Sequence, residues 1–442
     1  MKNLARFLSF LSAFAGLLLF FRSPTGVLGG AMWLPKLLAG AWAPFLALAG
    51  GLGAVIGWLG KDRKAAWVGI LGALLGIRHT VRVTAPHDHF SQAFGVDWEA
   101  RIPPELRFRL PKSRYRLIQP GFPPVPGLRD VQIGISGAAQ EPLLCDIWEP
   151  PAHVPHTGLA VIYLHGGLWQ AVDKDFLTQP LFRRLAFQGH VIMDLAYSLA
   201  PGADMKRMLG DVKQSIAWMK DHSARYGVDP GRIVLAGEAG GAHLALLAAY
   251  TPDHPAFQPA GLEADTSVRA VVSIAGITDL VAFFHEYGKT NPKQPEYSSQ
   301  ITDDLRPRVY DQTWLDQFLT RSRLFPAYRH GNMPGGPLLL VYLLDGTLKE
   351  APEAYRQASP IFHAGVHCPP TLQLVGDNDF IVSVSHGQRL HQALRQAGVP
   401  SIYIELPDTV HAFDLYFGVS RRISPAAQAA TYDIERFLTL LV

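Results

Sequence analysis

Cysteine and charge are both scarce in this chain of 442 residues, and each scarcity excludes classes of protein. Cys145 and Cys368 are too few for a disulfide framework, and neither has a second cysteine or a histidine at metal-ligand spacing. Charged side chains make up only 17% of the residues, the formal net charge is +3, and no block of like charges occurs. Nucleic-acid partners, which require a basic surface, are therefore not expected.

Cofactor motifs are missing as well. The sequence contains no HExxH pair and no Walker-type phosphate loop, so we expect neither a metal nor an organic cofactor. Internal repeats and low-complexity tracts are also absent. Hydrophobic residues, in contrast, make up 48% of the chain, which is enough for a large buried core. The oligomeric state does not follow from the sequence.

The longest apolar runs lie at the N-terminus. Residues 7–21 follow Lys2 and Arg6 as in a signal peptide, but the lack of a small-residue cleavage site favours an uncleaved anchor. Residues 37–60 carry no charge over more than the roughly 20 residues that a membrane-spanning helix needs, and they are predicted to span. The shorter run 65–77 is predicted either to span, to re-enter, or to lie in the interface. We therefore expect a membrane-anchored protein.

The number of spans decides on which side of the membrane the rest of the chain lies. Positive charge at the N-terminus and in KDRK (residues 61–64) predicts that both are cytoplasmic. If the third run spans, the remaining chain is outside the cytoplasm; otherwise it is inside. We prefer the outside or periplasmic side.

Beyond a proline-rich connector, apolar runs alternate with helical stretches. Eight strands are predicted, at residues 130–136, 142–149, 159–165, 190–197, 232–238, 268–276, 370–377 and 401–407. A short loop predicts an antiparallel first pair, and the alternation predicts an otherwise mostly parallel sheet flanked by helices. Residues 280–350 lack a clear period and predict a lid or cap, or else a solvated insertion. We therefore expect membrane-anchoring helices at 1–83, a connector at 84–129 and an α/β domain at 130–442.

Residues that could take part in catalysis or ligand binding follow five of these strands. The segments are HGGLW (165–169), DLAYSLAP (194–201), GEAGG (237–241), GDNDFIV (376–382) and VHAF (410–413). Open α/β sheets form their ligand crevice at the C-terminal ends of the strands. We therefore expect these segments to meet in one site.

The order of these motifs resembles the α/β-hydrolase fold, and within it esterases of the hormone-sensitive-lipase and feruloyl/acetyl-esterase type. The resemblance covers roughly residues 125–442 and leaves the membrane region outside. Leu168 stands where many relatives have a third glycine, and DLAYSLAP is a loose version of D-Y-R-x-A-P. These departures leave the subfamily open.

The resemblance implies roles for individual residues. His411 is expected to act as general base and Asp379 to orient it, with Asp377 as the alternative acid. Asp377 ends its strand and is better placed to brace the loop. The other implied groups are the oxyanion-hole N–H donors Gly166, Gly167 and Gly240, and Trp169, which either walls the substrate pocket or only packs. His243, Glu238 and Asp194 are expected to be structural.

The nucleophile position of GEAGG is occupied by Ala239, where the family has serine. A methyl group offers no Oγ for His411 to deprotonate, so this chain is expected not to form an acyl-enzyme. Either a serine was deliberately changed to alanine in an active esterase, or the chain is a natural pseudoenzyme that binds without turnover. We expect a membrane-anchored carboxylic ester hydrolase acting on a hydrophobic or lipid-like ester, inactivated at residue 239. The alternatives are an amidase, formamidase or acyltransferase using the same site, and a non-catalytic binding protein.

Overall fold

Three long apolar helices open the chain. The computed structural model describes residues 1–24, 27–137, 140–290, 337–414 and 420–442. The three helices are α1 (Lys2–Phe20), α2 (Val27–Leu59) and α3 (Arg63–Val83), and each is long and apolar enough to cross a membrane. The shortest predicted run, residues 65–77, thus lies within a regular helix of 21 residues. Helix α2 begins ten residues before the apolar run that predicted it.

The three helices pack closely because small residues face each other. A Cβ atom on Gly72 would lie 2.5 Å from the backbone nitrogen of Ala13, and one on Gly50 would lie 2.8 Å from the carbonyl oxygen of Gly69. Such distances allow only glycine at these positions, as in tightly packed membrane helices. At one end of the bundle, Arg6 Nε donates to Asp62 Oδ2 over 2.6 Å. The start of α1 therefore lies beside the turn between α2 and α3.

The connector packs on the sheet through its aromatic residues. It contains two short helices, His89–Phe94 and Pro104–Arg107, and a 3-10 turn at Trp98–Arg101. The rings of Phe90 and Trp98 stack with their centroids 4.7 Å apart, and both side chains belong to the core on one face of the sheet. Burial of these two rings therefore holds the connector against the sheet.

Eight strands form one sheet, as predicted. They are β1 (Gly127–Ser136), β2 (Glu141–Trp148), β3 (Ala160–Leu164), β4 (Val191–Ala196), β5 (Ile233–Glu238), β6 (Ala270–Ile274), β7 (Thr371–Gly376) and β8 (Ser401–Leu406). Their order is β1-β2-β4-β3-β5-β6-β7-β8, with β1 and β2 antiparallel to their neighbours and the others parallel. The central strands are buried on both faces, which is why they read as continuous apolar runs. The predicted α/β-hydrolase sheet is confirmed.

Helices cover both faces of the sheet. They are Gln179–Phe187, Met205–Asp221, Ser223–Tyr226, Ala239–Tyr250 (the elbow helix), Leu280–Thr290, Pro337–Leu343, Pro352–Gln357, Val384–Gln396, Ser420–Ile423 and Pro425–Leu440. All twelve residues of the elbow helix are buried. Met205–Asp221 and Ser223–Tyr226 are separated by a break at His222, whose ring stacks on Trp218. The centre of the predicted lid, residues 291–336, lies outside the described residues, and helices occupy both described flanks.

The close packing of α1 and α3 predicts a sharp difference between two glycines. Gly72→Ala places a methyl group against the backbone of α1 and is expected to destabilise the protein by about 1–3 kcal/mol. Gly51→Ala meets no atom within 4 Å and is expected to leave stability unchanged or raise it slightly through helix propensity. Thermal unfolding of the full chain in detergent measures both. Equal melting temperatures for the two variants would contradict this packing.

Candidate active site

The elbow between β5 and the elbow helix is as tight as its glycines predict. A Cβ on Gly241 would lie 2.2 Å from the carbonyl oxygen of Leu164 and 2.3 Å from that of His165. The start of the elbow helix therefore lies directly against the end of β3. Ala239, at the tip of the turn, has φ of +48°, a left-handed conformation that is unfavourable for a residue with a Cβ. The glycine pattern and the positive φ are both typical of a nucleophile elbow, and that residue 239 holds the nucleophile position stays a prediction.

His411 and Asp379 lie together, although 32 residues separate them. His411 Nδ1 is 2.6 Å from Asp379 Oδ2, and both side chains are almost fully buried. The other carboxylate oxygen of Asp379 accepts from the backbone N–H groups of Ile381 and Val382, over 2.8 and 2.9 Å. The loop after β7 thus fixes the carboxylate, and the carboxylate fixes the imidazole, as the base and its orienting acid require.

Asp377, the alternative acid, has other partners. Its carboxylate accepts from the backbone of Asp408 and Thr409, and burial raises its pKa. It therefore braces the loop after β8. Asp408 in turn accepts from Arg78 and Arg82 of α3, over 2.7 and 2.8 Å.

Acidic groups dominate the electrostatics around the imidazole. Burial lowers the pKa of His411, but the charge of Asp379, its hydrogen bond and the charge of Asp414 outweigh burial and raise it above 6.5. Burial, with the charges of Asp414 and Asp379, raises the pKa of Glu238 well above its ordinary value. The neutral form of Glu238 is therefore favoured over its charged form, and the imidazole holds a proton more readily than an ordinary histidine.

The HGGLW segment forms a loop whose peptide groups are fixed in direction. Tyr197 Oη donates to the carbonyl oxygen of His165, and His165 Nδ1 donates to that of Gly166, each over 2.9 Å. In a trans peptide the following N–H points the opposite way, so these bonds also orient the N–H groups of Gly166 and Gly167. A Cβ on Gly166 would lie 3.4 Å from Glu238, which places this loop beside the elbow.

Trp169 lies under the elbow helix and is fully buried. A Cβ on Gly240 would be 3.2 Å from its backbone nitrogen, and its ring meets that of His243 edge-on at 5.2 Å. His243 Nε2 donates to the carbonyl oxygen of Ala358 over 2.7 Å, and burial lowers its pKa to about 4. These contacts make His243 a neutral packing residue. That Trp169 also walls a substrate pocket stays a prediction.

Asp194 is a fully buried residue of β4, and its carboxylate accepts from the backbone N–H of Asp175 over 2.5 Å. This is a structural contact of the kind expected.

In the described part of the chain, no cluster of three or more histidine, cysteine or acidic side chains is placed to hold a metal ion. The need for no cofactor remains a prediction.

The contacts between the N-terminal helices and the site were not predicted. Trp33 Nε1 donates to the carbonyl oxygen of His411 over 2.8 Å, and Asn378 Oδ1 accepts from the backbone N–H of Ser23 over 2.6 Å. These partners are 378 and 355 residues apart, and no sequence pattern links them. Arg78 and Arg82, near the end of α3, are basic residues that could have indicated a contact with an acidic group of the domain.

Comparison with known proteins supports this reading of the domain. The BD-FAE family model matches residues 145–313, and that of the prolyl oligopeptidase family matches residues 341–432. The probable carboxylic ester hydrolase LipM of Mycobacterium tuberculosis is 30% identical over 312 residues, which cover 70% of this chain and 61% of LipM. Esterase LipQ of the same organism is 31% identical over 282 residues, covering 63% of this chain and 56% of LipQ. The chain thus aligns with less than two thirds of the length of either relative.

A solved structure of similar fold is a truncated carbohydrate esterase from gut microbiota. It superposes with a TM-score of 0.51 at 16% identity and covers 73% of this chain and 99% of its own. At that identity the likeness concerns the fold alone. Together with the strand order, it defines the domain as an α/β-hydrolase fold. The family and relative matches support the resemblance to esterases of that fold.

The buried pair of Asp379 and His411 leads to a prediction of the pH at which His411 titrates. Because its folded pKa is raised, protonated His411 stabilises the fold below its unfolded pKa, and this contribution is lost as pH rises through the folded pKa. Asp379→Asn removes the opposing charge and is expected to lower the pKa of His411 by about 1–3 pH units. NMR titration measures this pKa, and the His411 signal is assigned by its loss in His411→Gln.

Asp377→Asn is the matched control, since it changes an acid two residues away whose carboxylate bonds to the backbone of the β8 loop. It is expected to leave the pKa of His411 nearly unchanged. If Asp377→Asn lowers that pKa and Asp379→Asn does not, the assignment of the orienting acid is wrong.

Proposed function

We propose that this chain is a membrane-anchored α/β-hydrolase of the carboxylic ester hydrolase class, in which alanine replaces the nucleophilic serine. The observation that carries the proposal is the 2.6 Å hydrogen bond between His411 and Asp379. A buried acid and base at the ends of neighbouring strands is the arrangement that activates a hydroxyl for acyl transfer. The strained φ of Ala239 marks where that hydroxyl would stand.

The geometry supports a defined reaction for a chain with serine at residue 239. His411 Nε2 accepts the proton of the serine Oγ as this atom attacks the ester carbonyl, and Asp379 stabilises the resulting imidazolium. The N–H groups of Gly166, Gly167 and Gly240 stabilise the oxyanion. His411 then protonates the leaving alcohol, and a water molecule, deprotonated by His411, hydrolyses the acyl-enzyme.

With Ala239 the first step has no nucleophile. We therefore propose that this chain binds its ester and does not cleave it. The His411–Asp379 pair and the fixed oxyanion loop support a site that one hydroxyl would complete. A binding function without turnover in any variant is the competing interpretation.

The N-terminal helices support a hydrophobic or lipid-like ester as substrate. Helices α1, α2 and α3 lead the chain across a membrane three times if all of them span, so the domain and Met1 lie on opposite sides. The positive charge of KDRK and of the N-terminus favours the cytoplasm for those ends. We propose that the hydrolase domain lies outside the cytoplasm, at the membrane surface.

Restoring the hydroxyl tests the proposal directly. Ala239→Ser is expected to raise the hydrolysis of p-nitrophenyl esters by about 10³-fold or more over the parent chain, since nucleophile, base and acid act as one unit. A fluorophosphonate probe should then label residue 239. The matched control is the double variant Ala239→Ser with His411→Gln, which is expected to lose the gained activity.

Acyl anilides and formamides in the same assay separate an amidase from an esterase. No hydrolysis of any acyl substrate by a correctly folded Ala239→Ser chain would overturn the enzymatic proposal. Retained binding of a fluorescent lipid ester would then favour the binding function.

A further inference from the structure

Helix α2 reaches the loop that carries His411. Its 33 residues rise about 50 Å, well beyond the roughly 30 Å hydrocarbon core of a bilayer, so part of the helix extends out of the membrane. Trp33 lies in the first two turns of α2, and its indole N–H donates to the carbonyl oxygen of His411 over 2.8 Å. The helix therefore contacts the backbone of the proposed base.

The peptide group that accepts the Trp33 hydrogen bond lies next to a residue with a strained backbone. Ala412, directly after His411, has φ of +60°, which is unfavourable for a residue with a Cβ. Strained backbone of this kind persists where surrounding contacts fix it. The Trp33 bond fixes the carbonyl of the peptide that links His411 to Ala412, and so limits rotation of the backbone beneath the imidazole.

The turn before α2 contacts the acid loop in a similar way. Asn378, next to Asp379, accepts from the backbone N–H of Ser23 over 2.6 Å and donates to the carbonyl oxygen of Phe21 over 3.3 Å. Its own backbone N–H donates to the carbonyl oxygen of Thr409 over 2.9 Å, which joins the acid loop to the histidine loop. The N-terminal segment therefore touches both loops that form the acid–base pair.

We propose that Trp33 is a positioning residue for His411, and that the N-terminal helices are a working part of the active site as well as an anchor. The inference rests on the proposed function for its catalytic meaning. Asn378 and the turn between α1 and α2 position Asp379 in the same manner. Through Trp33 and Asn378, the membrane helices hold base and acid at hydrogen-bonding distance.

The kinetic test uses the full chain carrying Ala239→Ser in detergent or nanodiscs. Trp33→Phe keeps an aromatic ring and removes the N–H donor, and is expected to lower kcat about 5- to 10-fold with little change in KM. The apparent pKa of the kcat profile should fall as His411 separates from Asp379. Trp42→Phe, on the same helix with a side chain 39% exposed, is the matched control and should retain kcat.

A second measurement needs no turnover. In the chain as it exists, with Ala239, the His411 imidazole is titrated by NMR and assigned with His411→Gln. Trp33→Phe is expected to lower its pKa, and Trp42→Phe to leave it unchanged. Asn378→Ala, which removes the contacts with Ser23 and Phe21, provides a second variant with the same expected direction should Trp33→Phe fold poorly.

The outcomes separate the two proposals. If Ala239→Ser is inactive but Trp33→Phe shifts the His411 titration, the proposed reaction fails and the positioning role stands. If Ala239→Ser is active while Trp33→Phe and Asn378→Ala match Trp42→Phe in both measurements, the helices only anchor the domain, and this inference is overturned.

Discussion

Backbone contact between the start of the elbow helix and the end of β3 constrains the whole site. Gly241 lies so close to the carbonyl oxygens of Leu164 and His165 that a Cβ there would overlap both. This approach brings the N-terminus of the helix beside the HGGLW loop and leaves no room to relax the turn at residue 239. The loop after β7 lies near the same corner, since the charge of Asp379 acts on Glu238. The site is therefore a consequence of packing between main chains.

Much of the domain was predictable because its central strands are buried on both faces and are therefore mostly apolar. Each predicted strand lies within three residues of its observed ends, and the motifs at those ends indicated which loops converge. Asp379 was preferred to Asp377 from the sequence because Asp377 ends its strand, and in the structure the carboxylate of Asp379 contacts His411 while that of Asp377 bonds to the backbone. The contact between Trp33 and His411 could not be predicted, since neither hydropathy nor spacing reports which helix end meets which loop.

Alanine at residue 239 is informative in itself. A left-handed backbone costs a residue with a Cβ roughly 1–2 kcal/mol, and glycine avoids most of that cost. A corner kept only for its shape would gain stability from glycine. Alanine keeps the Cβ from which a serine hydroxyl projects, in a position only 4% exposed. The residue therefore has the steric form of the serine proposed for this position, without its hydroxyl oxygen.

Negative charge has opposite effects at two places near His411: it is favourable beside the imidazole and unfavourable beside the HGGLW loop. A negative charge near the imidazole favours its protonated form, which is the form that follows proton transfer from a hydroxyl. A negative charge near the HGGLW loop would instead repel the oxyanion that its N–H groups are proposed to bind. Glu238 lies beside Gly166 of that loop, and burial and neighbouring charges raise its pKa, which favours its neutral form. Negative charge beside His411 therefore favours proton uptake by the proposed base, whereas burial disfavours negative charge on Glu238, where it would oppose the developing oxyanion.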